Sequence, residues 1–226
     1  MSGWNKATLA QNNLVGPGLH RLSLEVPASV SSGFHAPGQY HHVRVPSGED
    51  AAFAIASAPG TVPFEYLIRE SDGVAGQLTA LAKGSVVKVG AVSGPGFPLE
   101  RAHGKNLLLI GTGTGFAPLR SVLLTILRHR ARYAEVHGAY GALTPAHLAF
   151  GPELEGWGKA GLHITPTVTT TGRGWKGAVG QVQDLLASLP VENAIAFLCG
   201  QSEMVKDVTT LLGRRGLPAD RVFVNF

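Results

Sequence analysis

The sequence predicts two domains, an antiparallel β-barrel followed by a doubly wound parallel α/β sheet. Three observations carry this. The first hundred residues hold short segments of alternating apolar and polar residues, separated by Gly and Pro turns. The remainder alternates apolar, strand-like runs with helix-length segments. The sharpest glycine-rich turn, GTGTGFAP at 111–118, joins the first of those runs to a helix. The expected division is 1–100 and 101–226, with the polar stretch 99–105 between them.

Within the first half, HRLSLEV at 20–26 and QYHHVRV at 39–45 alternate with the period of a half-buried strand. FEYLIR at 64–69 and the run 85–89 are further short strands. Turns fall at GPG (16–18), APG (36–38), VPSG (45–48) and SGPGFP (93–98). A helix over 74–82 interrupts the strands. In the second half, strands are expected at 107–110, 134–140, 162–169, 194–198 and 221–224. Helices are expected at 117–130, 179–189 and 202–215. Strands alternating with helices imply parallel βαβ units.

Composition narrows the function classes. Of 226 residues, 44% are apolar and 15% charged, which excludes a disordered chain. The 30 glycines are roughly twice the usual share of about 7% and gather at turns. A single cysteine, Cys199, excludes an internal disulfide, a zinc finger and a cysteine-ligated iron–sulfur cluster held by this chain alone. The net charge of +4 is mild, and no nucleic-acid motif is present. The densest basic cluster, RHRAR at 128–132, reads as a solvated helix end. The start of the chain shows no signal peptide, and the longest apolar run, 121–127, is far short of a membrane span. A cytoplasmic protein is the expectation.

The turn at 111–118 carries the chemistry. It sets bare backbone N–H groups and a helix N-terminus where a phosphate can sit. Gly113 and Gly115 permit close approach, and Pro118 suits a first helical turn. Neither the GxGxxG fingerprint nor the Walker pattern is met. The second signal is CGQSEM at 199–204, just past the apolar run 194–198. Residues at strand tips line the ligand crevice of an open α/β sheet, so Cys199 belongs beside the glycine turn.

Together these segments resemble the ferredoxin–NADP reductase superfamily. GxGxxP at 113–118 and CGxxxM at 199–204 occur in its order. APGQY at 36–40 resembles its PGQY/F strand, AIASAP at 54–59 its SxASxP segment, and SGPGFP its GPxGxF loop. GWKGAVGQV at 174–182 resembles its W-x-G-x-x-G-x-V stretch. FAIAS, GWKG, LCGQ and the terminal NF resemble its plant "fruit protein" branch most. The resemblance implies a flavin-binding barrel, with FAD or FMN, followed by a domain for NAD(P)H. By motif match, Gly113, Thr114, Gly115 and Pro118 hold the nicotinamide nucleotide's pyrophosphate. Cys199, Gly200 and Met204 lie near the nicotinamide. Phe53 packs on the flavin ring, with Ala54 and Ser57 following. Gly73, Val74, Ala75 and Gly76 fall on the second flavin motif. Phe226 covers the other flavin face. Cys199 and Phe226 are thereby assigned to the reacting rings, Cys199 to orient the nicotinamide and not to act as nucleophile.

The departures from the family pattern fall on the flavin side. Its RxYS motif lies on 51–54, where the arginine has become Ala51 and the serine Ala54. GVAG at 73–76 lacks the expected hydroxyl. A charge-assisted pair with a phosphate is commonly worth about 1.5–3 kcal/mol, so its loss weakens flavin roughly tenfold to a hundredfold. Arg44 and Arg69 are candidate replacements. After the second α/β strand, GALTP at 141–145 puts Leu143 where an arginine for a 2′-phosphate is expected, which leans toward NAD, while Arg173 and Lys176 are nearby. Trp175 either packs near the nucleotide or is structural. Adjacent His41 and His42 point to opposite strand faces and form no metal site.

The functional expectation is a flavin-dependent NAD(P)H oxidoreductase or electron-transfer protein with a separate acceptor or donor protein. Its rivals are a flavin-free nucleotide-binding module of a redox complex, and a reductase that treats flavin as substrate.

Overall fold

The computed structural model describes residues 3–225. Its first sheet holds β1 (Asn5–Gly16), β2 (Leu19–Glu25), β3 (Tyr40–Arg44), β4 (Asp50–Ala54), β5 (Phe64–Arg69) and β6 (Val86–Val89), with short helices α1 (Ala28–Ser31) and α2 (Val74–Thr79). The strand order is β4-β3-β6-β1-β2-β5, and every pairing is antiparallel. The two edge strands meet where the Ala56 N–H donates to the Glu65 carbonyl at 2.7 Å, which rolls the sheet up. Leu9, Leu22, Leu24, Val43, Phe64 and Val89 fill the interior from alternating positions. His41 joins them at 0% exposure, its Nε2 2.6 Å from the Tyr66 hydroxyl, while His42 faces outward. Burial pushes the His41 ring down to about 4.

The second sheet holds β7 (Asn106–Thr112), β8 (Val136–Ala142), β9 (Leu162–Val168), β10 (Ala178–Val179), β11 (Ala194–Cys199) and β12 (Val222–Val224), all parallel. The order β10-β9-β8-β7-β11-β12 reverses direction at β7, so the crevice between the tips of β7 and β11 is the topological switch point. The all-apolar runs of β7 and β11 suit strands buried on both faces. Helices α3 (Phe116–Arg128) and α4 (Gly151–Lys159) cover one face through Leu119, Leu123, Ile126 and Trp157. Helix α5 (Ser202–Arg214) covers the other with Val205, Val208 and Leu212.

One sequence expectation needs correction, and two further elements carry no clear sequence signal. The segment 179–189 is not an α-helix. Val179 ends β10, Gly180 takes φ +127°, and only a 3-10 turn follows at Val182–Ser188, started by the reciprocal Gln181–Asp184 cap. Helix α4 was not anticipated, because its three glycines and sparse apolar residues hide the period. Strand β1 is polar enough along NKATLAQNN to read as loop, yet Ala7 and Leu9 are buried and pair it into the middle of the sheet.

The two sheets are clamped together. Arg120 on α3 is 4% exposed; its guanidinium donates to Glu153, to Glu65 at 2.6 Å and to the Ala56 carbonyl at 3.0 Å. Arg21 bridges the same two carboxylates from the barrel. Burial alone would raise Glu65, but Arg120 and Arg21 outweigh it and hold the carboxyl below its usual range. The Ser121 hydroxyl donates to the Ser57 carbonyl at 2.6 Å, and Phe97 stacks on Phe197 with centroids 4.6 Å apart. Arg128 donates to the Pro59 carbonyl and the Thr61 hydroxyl, so that part of RHRAR is an inter-sheet contact and not a solvated helix end.

Candidate functional site

A cleft of about 660 Å³ opens over the switch point. Its floor is the turn after β7, where a 3-10 turn at Gly113–Gly115 runs into α3. Gly113 takes φ +53°. At Gly115 a Cβ would lie 2.7 Å from the Gly200 Cα and 2.8 Å from the Cys199 carbonyl oxygen, so only glycine lets the two strand tips touch. The cleft walls above that floor include Thr112, Cys199, Gly200 and Met204. The Thr112 Oγ1 is buried without a hydrogen-bond partner and faces the bare Gly200, on which a Cβ would come within 2.5 Å of it. A buried hydroxyl left unpaired beside bare backbone fits a polar ligand. Burial pushes the Cys199 thiol up to about 12, so it stays protonated near neutral pH and is a poor nucleophile.

The barrel contributes to this cleft from the opposite side. Arg69, at the end of β5, is exposed and reaches the turn, its guanidinium 3.7 Å from where a Gly113 Cβ would stand. The Asn225 side-chain amide donates to the Gly38 carbonyl at 2.9 Å, and its backbone N–H to the Leu198 carbonyl at 3.0 Å. The tail therefore ties the tip of β11 to the start of β3. Tyr40, two residues on from Gly38, pairs with Ala54 of β4.

A second face lies on the barrel where α2 packs beside β4 and β5. Phe53, Val74 and Ala75 are half-buried there against the barrel core. This apolar face, with the Phe53 ring, fits the flat body of a flavin. The phosphate end fits less well. Ala51 brings no charge. Arg44 is committed, donating twice to Asp50 and lying over the Trp4 ring at 3.9 Å. Those bonds, then His42, hold the Asp50 carboxyl below its usual range. Arg69 stands on the nucleotide side. Arg44 is thus occupied by Asp50, and Arg69 by its place at the cleft.

The structure thus gathers Gly113, Thr114, Gly115, Cys199, Gly200 and Met204 in one cleft. Pro118 is buried beneath it in the first turn of α3. Phe53, Ala54, Gly73, Val74, Ala75 and Gly76 lie on β4 or at the start of α2. Ser57 does not join them. It is 2% exposed, and its hydroxyl accepts the Glu65 N–H at 3.2 Å, because the chain leaves β4 after Ala54 and turns toward α3. Phe226 lies outside the described residues. Trp175 is structural: its indole N–H donates to the Ala178 carbonyl at 3.0 Å. Thr112, Arg69 as a nucleotide-side cation, and Asn225 were not anticipated. Only Thr112 had a local signal, its place inside GTGTG; the others are brought in by tertiary packing.

The chain is similar to several known proteins in sequence and fold. The family model for the oxidoreductase NAD-binding domain matches residues 109–210. The chain is 31% identical to sulfhydrogenase 1 subunit gamma of Pyrococcus furiosus, over 91% of this chain and 73% of that one. It is 29% identical to fruit protein pKIWI502 of Actinidia deliciosa, over 84% of this chain and 66% of that one. It is 31% identical to ferredoxin–NADP reductase B of Sorangium cellulosum, over 97% and 96%. Among solved structures, a ferredoxin NADP+ reductase from Neisseria gonorrhoeae with bound FAD and NADP superposes with TM-score 0.85 at 20% identity, covering 99% of this chain and 98% of that one. No helix among the described residues is long and apolar enough to cross a membrane, and none of their side chains form a three-ligand metal cluster.

Proposed function

The chain belongs to the ferredoxin–NADP reductase superfamily, and from that premise we propose that it is a flavin-dependent NAD(P)H oxidoreductase serving a separate electron-transfer protein. The observation that carries the reading is the cleft at the switch point, with its glycine floor, its unpaired Thr112 hydroxyl and its opening onto the barrel. The dinucleotide's pyrophosphate rests on the amides of Gly113–Gly115 at the start of α3. Arg69 adds a cation from the barrel side. The nicotinamide lies toward Thr112, Cys199 and Met204. Cys199, held as a thiol, packs against that ring and moves no proton. Asn225 fixes the tail beside it through its bonds to Gly38 and Leu198.

On the barrel, Phe53 and Ala54 with Gly73–Gly76 would hold a flavin, FAD or FMN. When bound, a flavin supplies a hydride acceptor that can release electrons one at a time. The chain's own work is to align the two rings and exclude water between them. Ala51 and the committed Arg44 favour weak, exchangeable flavin, and they keep open a second reading, a flavin-free nucleotide module of a redox complex. Visible absorbance of the purified protein, followed by titration with FAD and FMN, separates the two. Saturable uptake supports the oxidoreductase. No uptake of either flavin at high concentration replaces it with the nucleotide module.

A further inference from the structure

Resting on the nucleotide reading above, we propose that the cleft selects NADH over NADPH, and that Leu143 sets the choice. The orientation of a bound dinucleotide follows from the cleft. Its pyrophosphate is fixed at the Gly113–Gly115 turn, and its nicotinamide end faces the barrel. Its adenosine end must then run the other way, over the tips of β8 and β9 and the segment 180–183, which line the rest of the cavity. In a doubly wound sheet the group just past the strand next to the glycine turn reads the ribose 2′ position. That strand is β8, which ends at Ala142. The next residue, Leu143, lines the cleft with 55% of its surface exposed.

A 2′-phosphate brings nearly two negative charges and several acceptor oxygens at neutral pH, and it needs donors and cations. This lobe supplies no lysine or arginine among the described residues, only neutral donors such as Gln181, Gln183 and Thr169. The charged groups on the cleft wall are Arg69, on the nicotinamide side, and Glu203 and Asp207 of α5. His147 borders the lobe, but its Nδ1 lies 2.7 Å from the Thr144 hydroxyl, to which it is already hydrogen-bonded. Arg173 and Lys176 stand in the exposed loop before β10 and are not part of the wall. A 2′-hydroxyl asks for much less. Thr169, also on the wall, has its hydroxyl only loosely held by the Leu143 carbonyl at 3.4 Å.

The test is direct titration of the full chain with NADH and with NADPH by calorimetry, which needs no flavin and no turnover. The expected result is NADH binding at least about tenfold tighter than NADPH, and a Leu143→Arg variant that moves the ratio of the two dissociation constants about tenfold toward NADPH. NADPH binding as tight as NADH in the natural chain overturns the proposal, and so does an unchanged ratio in Leu143→Arg. If NADPH binds tightly and the double variant Arg173→Ala/Lys176→Ala abolishes that binding, the loop reads the phosphate and Leu143 does not. Failure of both dinucleotides to bind overturns the nucleotide reading itself, a result distinct from either.

Discussion

The two halves of this molecule offer their proposed ligands different kinds of site. The α/β half builds its cleft from backbone. Gly115 and Gly200 touch, the amides of 113–115 line the floor, and the side chains that matter, Thr112 and Cys199, are small. The barrel half offers a flavin an apolar face through Phe53, Val74 and Ala75, but the position where a phosphate-neutralising charge is expected carries Ala51. A site made of main chain is protected from side-chain drift, because its glycines cannot change without a collision. A site made of side chains can lose its charge while the fold stays intact. A robust nucleotide site beside a weakened flavin site, joined by one clamped interface, is therefore expected.

The largest expected effect breaks that interface. Replacing Arg120 by Met leaves Glu65 and Glu153 half-buried with only Arg21 to share, a loss of about 3–5 kcal/mol of stability. Chemical denaturation measures it; a loss below about 1 kcal/mol would place the clamp in the ordinary surface class. Next comes an internal property of the barrel. His41 is buried neutral, its pKa lowered from 6.5 to about 4, so the unfolded chain takes up a proton the folded one refuses. Stability attributable to this residue is present above the unfolded value and drains away as pH falls toward the folded one, by about 3 kcal/mol in all. Imidazole NMR checks it: the His41 resonances should not titrate above about pH 5, and a transition near the ordinary value would refute the buried neutral form.

The remaining two changes sharpen the contrast between the halves. Gly115→Ala forces a Cβ against Gly200 and Cys199, for about 1–3 kcal/mol of strain. The expected readout is roughly tenfold to hundredfold weaker NADH binding with flavin uptake retained. Equal damage to both ligands would mean that the cleft and the barrel face are not separate sites. Ala51→Arg should do the reverse, tightening FAD about tenfold and leaving NADH affinity alone. FAD affinity unmoved by that arginine would show that the pyrophosphate does not lie beside β4.

The sequence was most legible where local chemistry decides the outcome. FEYLIR formed a strand over the expected span, and GTGTGFAP and CGQSEM met at the switch point because strand tips and a glycine turn leave few alternatives. It was least legible where tertiary packing decides. Polar β1 is held in the sheet by pairing on both sides. Glycine-rich α4 is held by Trp157 in the core. Ser57 sits in a family-like segment, yet its position is set by Glu65 and Ser121 across the interface. Arg69 and Asn225 reach the cleft from the end of β5 and from the C-terminal tail, a juxtaposition that no local pattern records.

The most direct test of the whole account is an anaerobic titration of the FAD-loaded protein with NADH, followed by flavin absorbance. NADH is expected to bleach the bound flavin, because Arg69 and the Asn225–Gly38 bond join the barrel to the nucleotide cleft. A protein that takes up FAD and binds NADH, yet whose flavin is not bleached by NADH or NADPH, would contradict it.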